Sequence, residues 1–398
     1  MKIGYIHNSA EAHKRAMQVI KLTAEPQALD ELGIGRIRDA FADKLFPGIS
    51  TLQKRLKYFS LMPQVYRKAL ERGKPYGNPD EVKKEVIRLE IEMTRRLYDN
   101  SPEGERNGIT GSSMKGEKFV KYDPAYIYHT GLLKYGILHD PHPYKAICRV
   151  WKALNGQPHT FRSDDEDVND DAGKLTDIAP FCEYPDVGYD FLVDGPDKFT
   201  IDLTPEDKSF ILEHMKAGSR GSLLNFLLDI VDNPGFVVPQ TFRDIAPFKK
   251  DMPEDMRLWY DKARRFSDFM YVIHLRYNCI FSEKNCLSGV DQEILSEFEE
   301  ELDTFMKSGT DIKDVLYGLK VREQKCIDFC LDAAGYLAAS DLNGLDRLII
   351  DREAKVKTSR KKIGTPGFPY KPVHYHRLTY RWETVREFLC ELKKVNNG

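Results

Sequence analysis

The chain has 398 residues, 31% of them charged and 41% hydrophobic, with a formal net charge of -2. That length supplies a large core and more than one domain, while the near-neutral balance excludes a globally basic nucleic-acid binder, so any such contact has to come from local patches. No apolar run approaches a membrane span and no signal-peptide pattern follows Met1, which argues against insertion and secretion; the seven cysteines form no disulfide framework and fit a reducing cytoplasm.

Residues 2–6 (KIGYI) read as a short buried strand or an entry segment. Residues 11–22 read as a helix with Ala16, Val19, Ile20 and Leu22 apolar, ended by Pro26. The most strongly patterned stretch is 30–72. Ile34, Ile37, Phe41 and Leu45 recur at helical spacing, and Pro47 and Gly48 stop that helix. Ser50 with Gln53 three residues on is a capping-box pattern, which predicts a second helix from Ser50. On that helix Leu52, Leu56 and Phe59 share one side, and Gln53, Lys54, Lys57 and Tyr58 take the opposite arc, with Arg55 between. A helix, a tight turn and a helix with a basic, aromatic outer face is what a helix-turn-helix offers a DNA groove. The competing reading is an ordinary helical hairpin with a solvated face.

Further on, Pro79 and Asp80 open a helix to about Tyr98 with the core stripe Val82, Val86, Leu89, Met93 and Leu97. A polar, glycine-rich stretch from 100 to 116 precedes a helix over 124–136. The GITGSSMKG run at 108–116 has the composition of a phosphate loop without its spacing or a preceding strand; Ser112, Ser113, Lys115 and Lys118 suit a wing touching a DNA backbone.

The run DELGIGRIRDAFADKLFPGISTLQKRLKYF at 30–59, GITG at 108–111, DPAYIYHTGLLKYGIL at 123–138, RRFSDFMYVIHLRYN at 264–278 and RLTYRWETVREFL at 377–389 together resemble a bacterial family of unknown function over nearly the whole chain. The resemblance implies association with antiphage defence loci, beside helicases and phospholipase-D-like nucleases. It supplies no catalytic residues.

The acidic run holding Asp164, Asp165, Glu166, Asp167, Asp170 and Asp171 reads as a solvated loop, because it lacks the glycine spacing of a calcium loop. His139 and Asp140 fall in a proline-bounded turn. His374 and His376 alternate with no further ligand nearby in sequence, and Cys326 and Cys330 share a helical face as small buried residues. Thr204, Pro205 and Asp207 start a helix, 222–231 is a core helix, 242–253 is irregular, and 254–283 is one long buried helix carrying Trp259, Phe266, Met270, Ile273, Tyr277 and Ile280. In that helix one of Arg264, Arg265 and Arg276 is expected to pair with Asp261 or Asp268. Helices are also predicted over 292–306, 311–319 and 324–338. Residues 345–362 form a basic helix with Arg352, Lys355, Lys357, Arg360, Lys361 and Lys362, followed by a β-hairpin whose Tyr370, Tyr375, Tyr380 and Trp382 either stack on bases or pack on the core.

These readings predict a mainly α protein: a helix-turn-helix or winged-helix-like region at 1–150, an acidic loop and linker at 151–195, and a helical domain at 196–398 with a basic C-terminal segment and a small terminal β element. The expected function is a non-catalytic DNA-binding or adaptor subunit with no metal or cofactor and no membrane partner. In it Lys54, Arg55, Lys57, Lys115, Lys355, Lys357, Arg360 and Lys361 meet phosphates, and Gln53 and Tyr58 sit at the groove. The alternatives are a metal-dependent nuclease using Asp164, Asp167 and His139, and a protein scaffold that does not touch DNA.

Overall fold

A computed structural model describes residues 30–71, 76–112, 120–154, 180–193, 199–286 and 289–395. The strand expected at 2–6, the helix at 11–22 and the acidic run at 164–171 lie outside them. The protein is mainly helical, as predicted, and no sheet is present among the described residues; a single antiparallel bridge joins Leu138 to Cys182. Two compact units are built from interleaved segments. Unit 1 takes the described residues up to Phe46 together with Pro239–Glu383, and unit 2 takes Pro47–Val238 together with the described residues from Thr384 onward.

In unit 1, helix α1 (Gly35–Leu45) buries Ile37, Phe41, Ala42 and Leu45, the stripe the sequence predicts. Both Asp30 carboxylate oxygens accept from amides at the start of the helix, Ile34 at 2.9 Å and Gly35 at 2.5 Å. They satisfy donors that the helix itself leaves unpaired.

Unit 2 opens with the first departure from expectation. No helix starts at Ser50; α2 runs Tyr58–Glu71. Half of the predicted capping pattern is present, since the Gln53 side chain accepts from the Ser50 amide at 3.0 Å, but its amide also donates to the Gly48 carbonyl at 3.1 Å and so closes a turn. The next backbone groups are taken by distant side chains. The Tyr128 hydroxyl accepts from the Lys54 and Arg55 amides at 3.1 Å each and donates to the Arg55 carbonyl at 2.7 Å, while Glu391 accepts from Leu56 N–H at 2.9 Å. A backbone whose donors are satisfied this way gains nothing from helical pairing. Residues 46–57 thus replace a tight turn, and α1 and α2 fall in different units.

Around α2 stand α3 (Pro79–Asn100), α4 (Pro124–Lys134), α5 (Pro143–Leu154) and α6 (Pro205–Gly218). Helix α2 is buried on nearly every side from Tyr58 to Tyr66, which marks it as the core element. The α3 stripe from Val82 to Leu97 is buried as expected. Thr204 caps α6 and Pro205 opens it as predicted, with Asp207 completing a capping box, and Ser222 caps α7 (Leu223–Ile230).

Back in unit 1, a 3-10 helix at Phe242–Asp251 leads to α8 (Glu254–Asn285), the spine of the unit. Against α8 pack α1, α9 (Gln292–Lys307), α10 (Ile312–Leu316) and α12 (Leu342–Lys357), and α11 (Gln324–Ala338) lies on α12. The expected pairing inside α8 is not what forms: Arg276 pairs with Asp346 at 2.6 Å, Lys249 takes Asp261 at 2.6 Å, and Arg243 and Arg377 take Asp268.

The terminal β element is a second correction. Residues 361–381 carry no strand. Side chains of α8 occupy the groups a hairpin ladder needs: Asn278 bonds both the Val373 N–H at 2.9 Å and its carbonyl at 2.7 Å, Ser267 accepts from Leu378 N–H at 2.9 Å, and Asn285 donates to the Phe368 carbonyl at 3.1 Å. The last helix, α13 (Trp382–Lys394), spans the boundary between units in the sequence and places Val385, Phe388, Leu389 and Leu392 in the core of unit 2.

Candidate functional site

The predicted groove face of residues 53–58 is mostly interior. Gln53, Lys57 and Tyr58 are buried, each at 1% exposure or less. Their placement presumed a helix that begins several residues too early, so three of the four arc positions turn inward. Tyr58 accepts from Thr110 N–H at 2.9 Å, and burial pushes its phenol up to about 12. Lys57 lies 3.3 Å from Asp207 and donates to the Asp202 carbonyl at 2.5 Å, with the Tyr189 and Phe199 rings 4.7 and 5.4 Å from its ammonium. Burial lowers its pKa, and Asp207 opposes that shift.

Arg55 is committed as well. Its Nε lies 2.8 Å from Glu391, one Nη is 3.1 Å from Asp202, and the other donates to the Glu105 and Asn107 carbonyls at 3.1 and 3.3 Å. Burial raises the Glu391 carboxyl to about 7, against the pull of Arg55 and of the Leu56 amide. These contacts build an internal ion-pair network in unit 2. Beside it a cavity of about 300 Å³ is lined by Leu203, Pro205, Val395, Asp202, Glu391 and Lys394. Of the predicted face only the Lys54 side chain remains exposed. Lys115 lies outside the described residues.

In unit 1 the basic run divides into two sets. Lys357 and Lys362 reach the same buried carboxylate, Glu31, at 3.2 and 2.8 Å, at ion-pair range although not aligned as hydrogen bonds. Arg352 donates to the Leu32 and Gly33 carbonyls at 2.7 and 3.1 Å. Between them the α12 helix ends at Lys357, and Thr358, with φ at +51°, leads into a 3-10 turn. Lys355, Arg360 and Lys361 are exposed and make no ion pair or hydrogen bond among the described residues. The result is three cations facing solvent, Lys355 on the last turn of α12 and Arg360 and Lys361 at the 3-10 turn that follows, beside two ion pairs to the buried Glu31.

The aromatics expected to stack on bases are largely engaged. Tyr380 is buried and donates to the Ala263 carbonyl at 2.7 Å, and Trp382 is buried and donates to the Gln240 carbonyl at 3.3 Å. Tyr370 donates to Asp291 at 3.1 Å and Tyr375 to Glu297. Phe368 and Tyr375 keep 39% and 41% of their surface exposed, enough for a ring face to meet a ligand.

Other candidate groups resolve into local roles. His139 meets Glu183 at 2.7 Å, and Asp140 meets Arg149 at 2.8 Å, all near the surface. Cys326 donates to the Gly33 carbonyl at 2.9 Å, and burial raises the thiols of Cys326 and Cys330, as suits side chains packed in the core. His374 does have a partner that sequence spacing misses: His274 of α8 stacks on it at 4.6 Å. Among the described residues no group of three His, Cys, Asp or Glu is placed to hold a metal ion, and no helix is long and apolar enough to cross a membrane. Sequence reasoning also missed Glu31 and Glu391, and it named Asp207 only at a helix start; the ion-pair partners of all three lie far along the chain and leave no local pattern.

Comparison with curated proteins and with solved structures finds no match. A family model does match, over residues 1–288, which is most of the chain and includes α1 through α8. The chain therefore belongs to the family of unknown function DUF6361.

Proposed function

We propose that the protein is a non-catalytic adaptor that meets the phosphate backbone of DNA through the basic turn of unit 1. The observation that carries this reading is the division of the turn's cations: Lys357 and Lys362 are taken up by Glu31, whereas Lys355, Arg360 and Lys361 face solvent without partners among the described residues. Cations that fold the protein cannot also neutralise phosphates, and cations held on a fixed turn lose less freedom on binding than mobile ones. Exposed Phe368 and Tyr375 farther along the same segment add ring faces that favour an unpaired strand over a duplex. A role in antiphage defence beside a helicase or a phospholipase-D-like nuclease completes the reading, and its support is the family resemblance alone.

The test is fluorescence-anisotropy binding to single-stranded and duplex DNA across a salt series. Each phosphate that a variant no longer neutralises reduces the salt slope by about 0.7 on a single strand and about 0.9 on a duplex. Arg360→Glu/Lys361→Glu should therefore flatten the slope by about two such increments, while Lys54→Glu, on unit 2, should leave it unchanged. Absence of binding at low salt, or an unchanged slope in the double variant, rejects the reading. In that case a scaffold that binds protein alone becomes the better account.

A further inference from the structure

In unit 1 the chain that follows the basic turn folds back on itself through two successive β-turns. The Thr365 amide donates to the Lys362 carbonyl at 3.1 Å, and the Phe368 amide donates to the Thr365 carbonyl at 3.3 Å. In each turn the third residue is a glycine in the left-handed region, Gly364 at φ +67° and Gly367 at φ +85°, which a residue with a side chain would resist. Pro366 stands second in the later turn, where its ring fixes the φ required. Asn285, the last residue of α8, pins both turns: its side chain accepts from the Gly364 amide at 2.8 Å and donates to the carbonyls of Lys362 at 3.0 Å and Phe368 at 3.1 Å. Because one nitrogen bonds both carbonyls, their oxygens are no further apart than those two hydrogen bonds laid end to end. The buried Glu353 adds a second anchor by accepting from the Lys362 and Ile363 amides at 2.8 and 3.2 Å. The backbone of Phe368 is thus brought back beside the residue that follows Lys361. The Phe368 ring, 39% exposed, makes no ring contact among the described residues, and Arg360 and Lys361 make no ion pair there.

We propose that residues 360–368 form one composite subsite for a nucleotide unit of an unpaired strand: Arg360 and Lys361 take a phosphate, the Phe368 ring stacks on a neighbouring base, and Asn285 is the positioning residue that sets the distance between them. Phosphate contacts carry no information about bases, so the cations alone bind a strand with bases and a strand without them equally well. A ring face separates the two, because stacking needs a base and accepts any base. The closed loop matters because a ring on a backbone already ordered by its turns and by Asn285 meets the base without the entropy cost of fixing that backbone on binding. Asn285 is uncharged and stands outside the set of binding groups, so it acts on their geometry and leaves the number of cations unchanged. The inference rests on the nucleic-acid reading and deepens it from an affinity for phosphates to a contact with a base.

Fluorescence-anisotropy titration of the full chain at one low salt concentration tests it, with two single-stranded probes of equal length and phosphate count, oligothymidylate and its abasic analogue. The wild type should bind oligothymidylate about 5- to 150-fold more tightly, the range that stacking of one base contributes. Phe368→Ala should remove that preference by weakening oligothymidylate alone, whereas Arg360→Glu/Lys361→Glu should weaken both probes by a similar factor. Asn285→Ala keeps the ring and every cation, so it should lower the ratio of the two affinities toward one; a general loss of structure would weaken both probes together and leave the ratio where it was. Equal binding of the two probes by the wild type, or a preference that survives in Phe368→Ala, overturns the subsite and leaves the phosphate reading standing. An undiminished ratio in Asn285→Ala overturns the positioning role. Failure of the wild type to bind either probe overturns the subsite together with the nucleic-acid reading beneath it.

Discussion

Lys57 and Asp207 meet at 3.3 Å with side-chain exposures of 2% and 0%, and Asp207 is further bonded by the Ser60 hydroxyl at 2.5 Å and the Tyr189 hydroxyl at 2.7 Å. An ion pair this deep is strongly destabilising to break from one side, because the remaining charge keeps its desolvation cost. Lys57→Met should cost about 3–5 kcal/mol in urea unfolding, and the added change Asp207→Asn should recover part of it. Full additivity of the two losses would show that the pair is not coupled. Glu90 presents the opposite case. It is fully buried, one oxygen accepts from Ala125 N–H at 2.7 Å, and the other has no partner among the described residues; burial, then Asp123, raises its pKa well above the carboxylate range. The folded state therefore holds a proton that the unfolded state releases above about pH 4.3, so stability falls as pH climbs toward the folded pKa. Glu90→Gln removes that titration. The variant's melting temperature minus the wild type's should rise between pH 4.5 and pH 8, and a flat difference would show that Glu90 is not a neutral acid in the fold.

At the scale of elements, close approach decides where helices meet. A Cβ on Gly218, at the end of α6, would lie 2.4 Å from the Lys134 carbonyl oxygen and 2.6 Å from the Tyr135 Cα, both backbone atoms that cannot swing away. Gly218→Ala should therefore destabilise unit 2 by about 1–3 kcal/mol despite the better helix propensity of alanine. A thermal shift toward stability in that variant would mean that the α4 and α6 ends are free to separate. The segment from Ile49 to Lys57 follows the same logic with hydrogen bonds. Tyr128, at a distance of more than seventy residues in sequence, holds the amides that a helix would otherwise use.

Across the whole molecule, each unit is closed by a distant segment. Residues 384–395 bring Phe388 against Phe59 at 6.3 Å, place Leu389 and Leu392 in the core of unit 2, and set Glu391 on Arg55. Truncation after Glu383 removes these apolar side chains and takes Glu391 away from the Arg55 guanidinium. It should lower the stability of unit 2 by several kcal/mol, at about 2–5 kcal/mol per large buried side chain removed. Exchange protection of α2 and α3 reports the effect, and unchanged protection there would show that α13 is dispensable to the core.

The sequence by itself determined the helical class, the bounds of α3, α8 and α11 to within a few residues, the start of α6, and the buried stripes of α1 and α3. Those features depend on 3.6-residue periodicity and on caps such as Thr204 with Asp207, and both are local. It did not determine what residues 49–57 and 361–381 would do. There the local signals, a capping pair and an alternating run, are overridden by side chains from elsewhere: Tyr128 and Glu391 in one case, Asn278, Ser267 and Asn285 in the other. The same holds for the candidate site. Basic residues were legible as a composition, but which of them stay free depended on Glu31, Asp202, Asp207 and Glu391, carboxylates brought to them only by the tertiary fold. Charge is a property of a residue, whereas availability is a property of its neighbours.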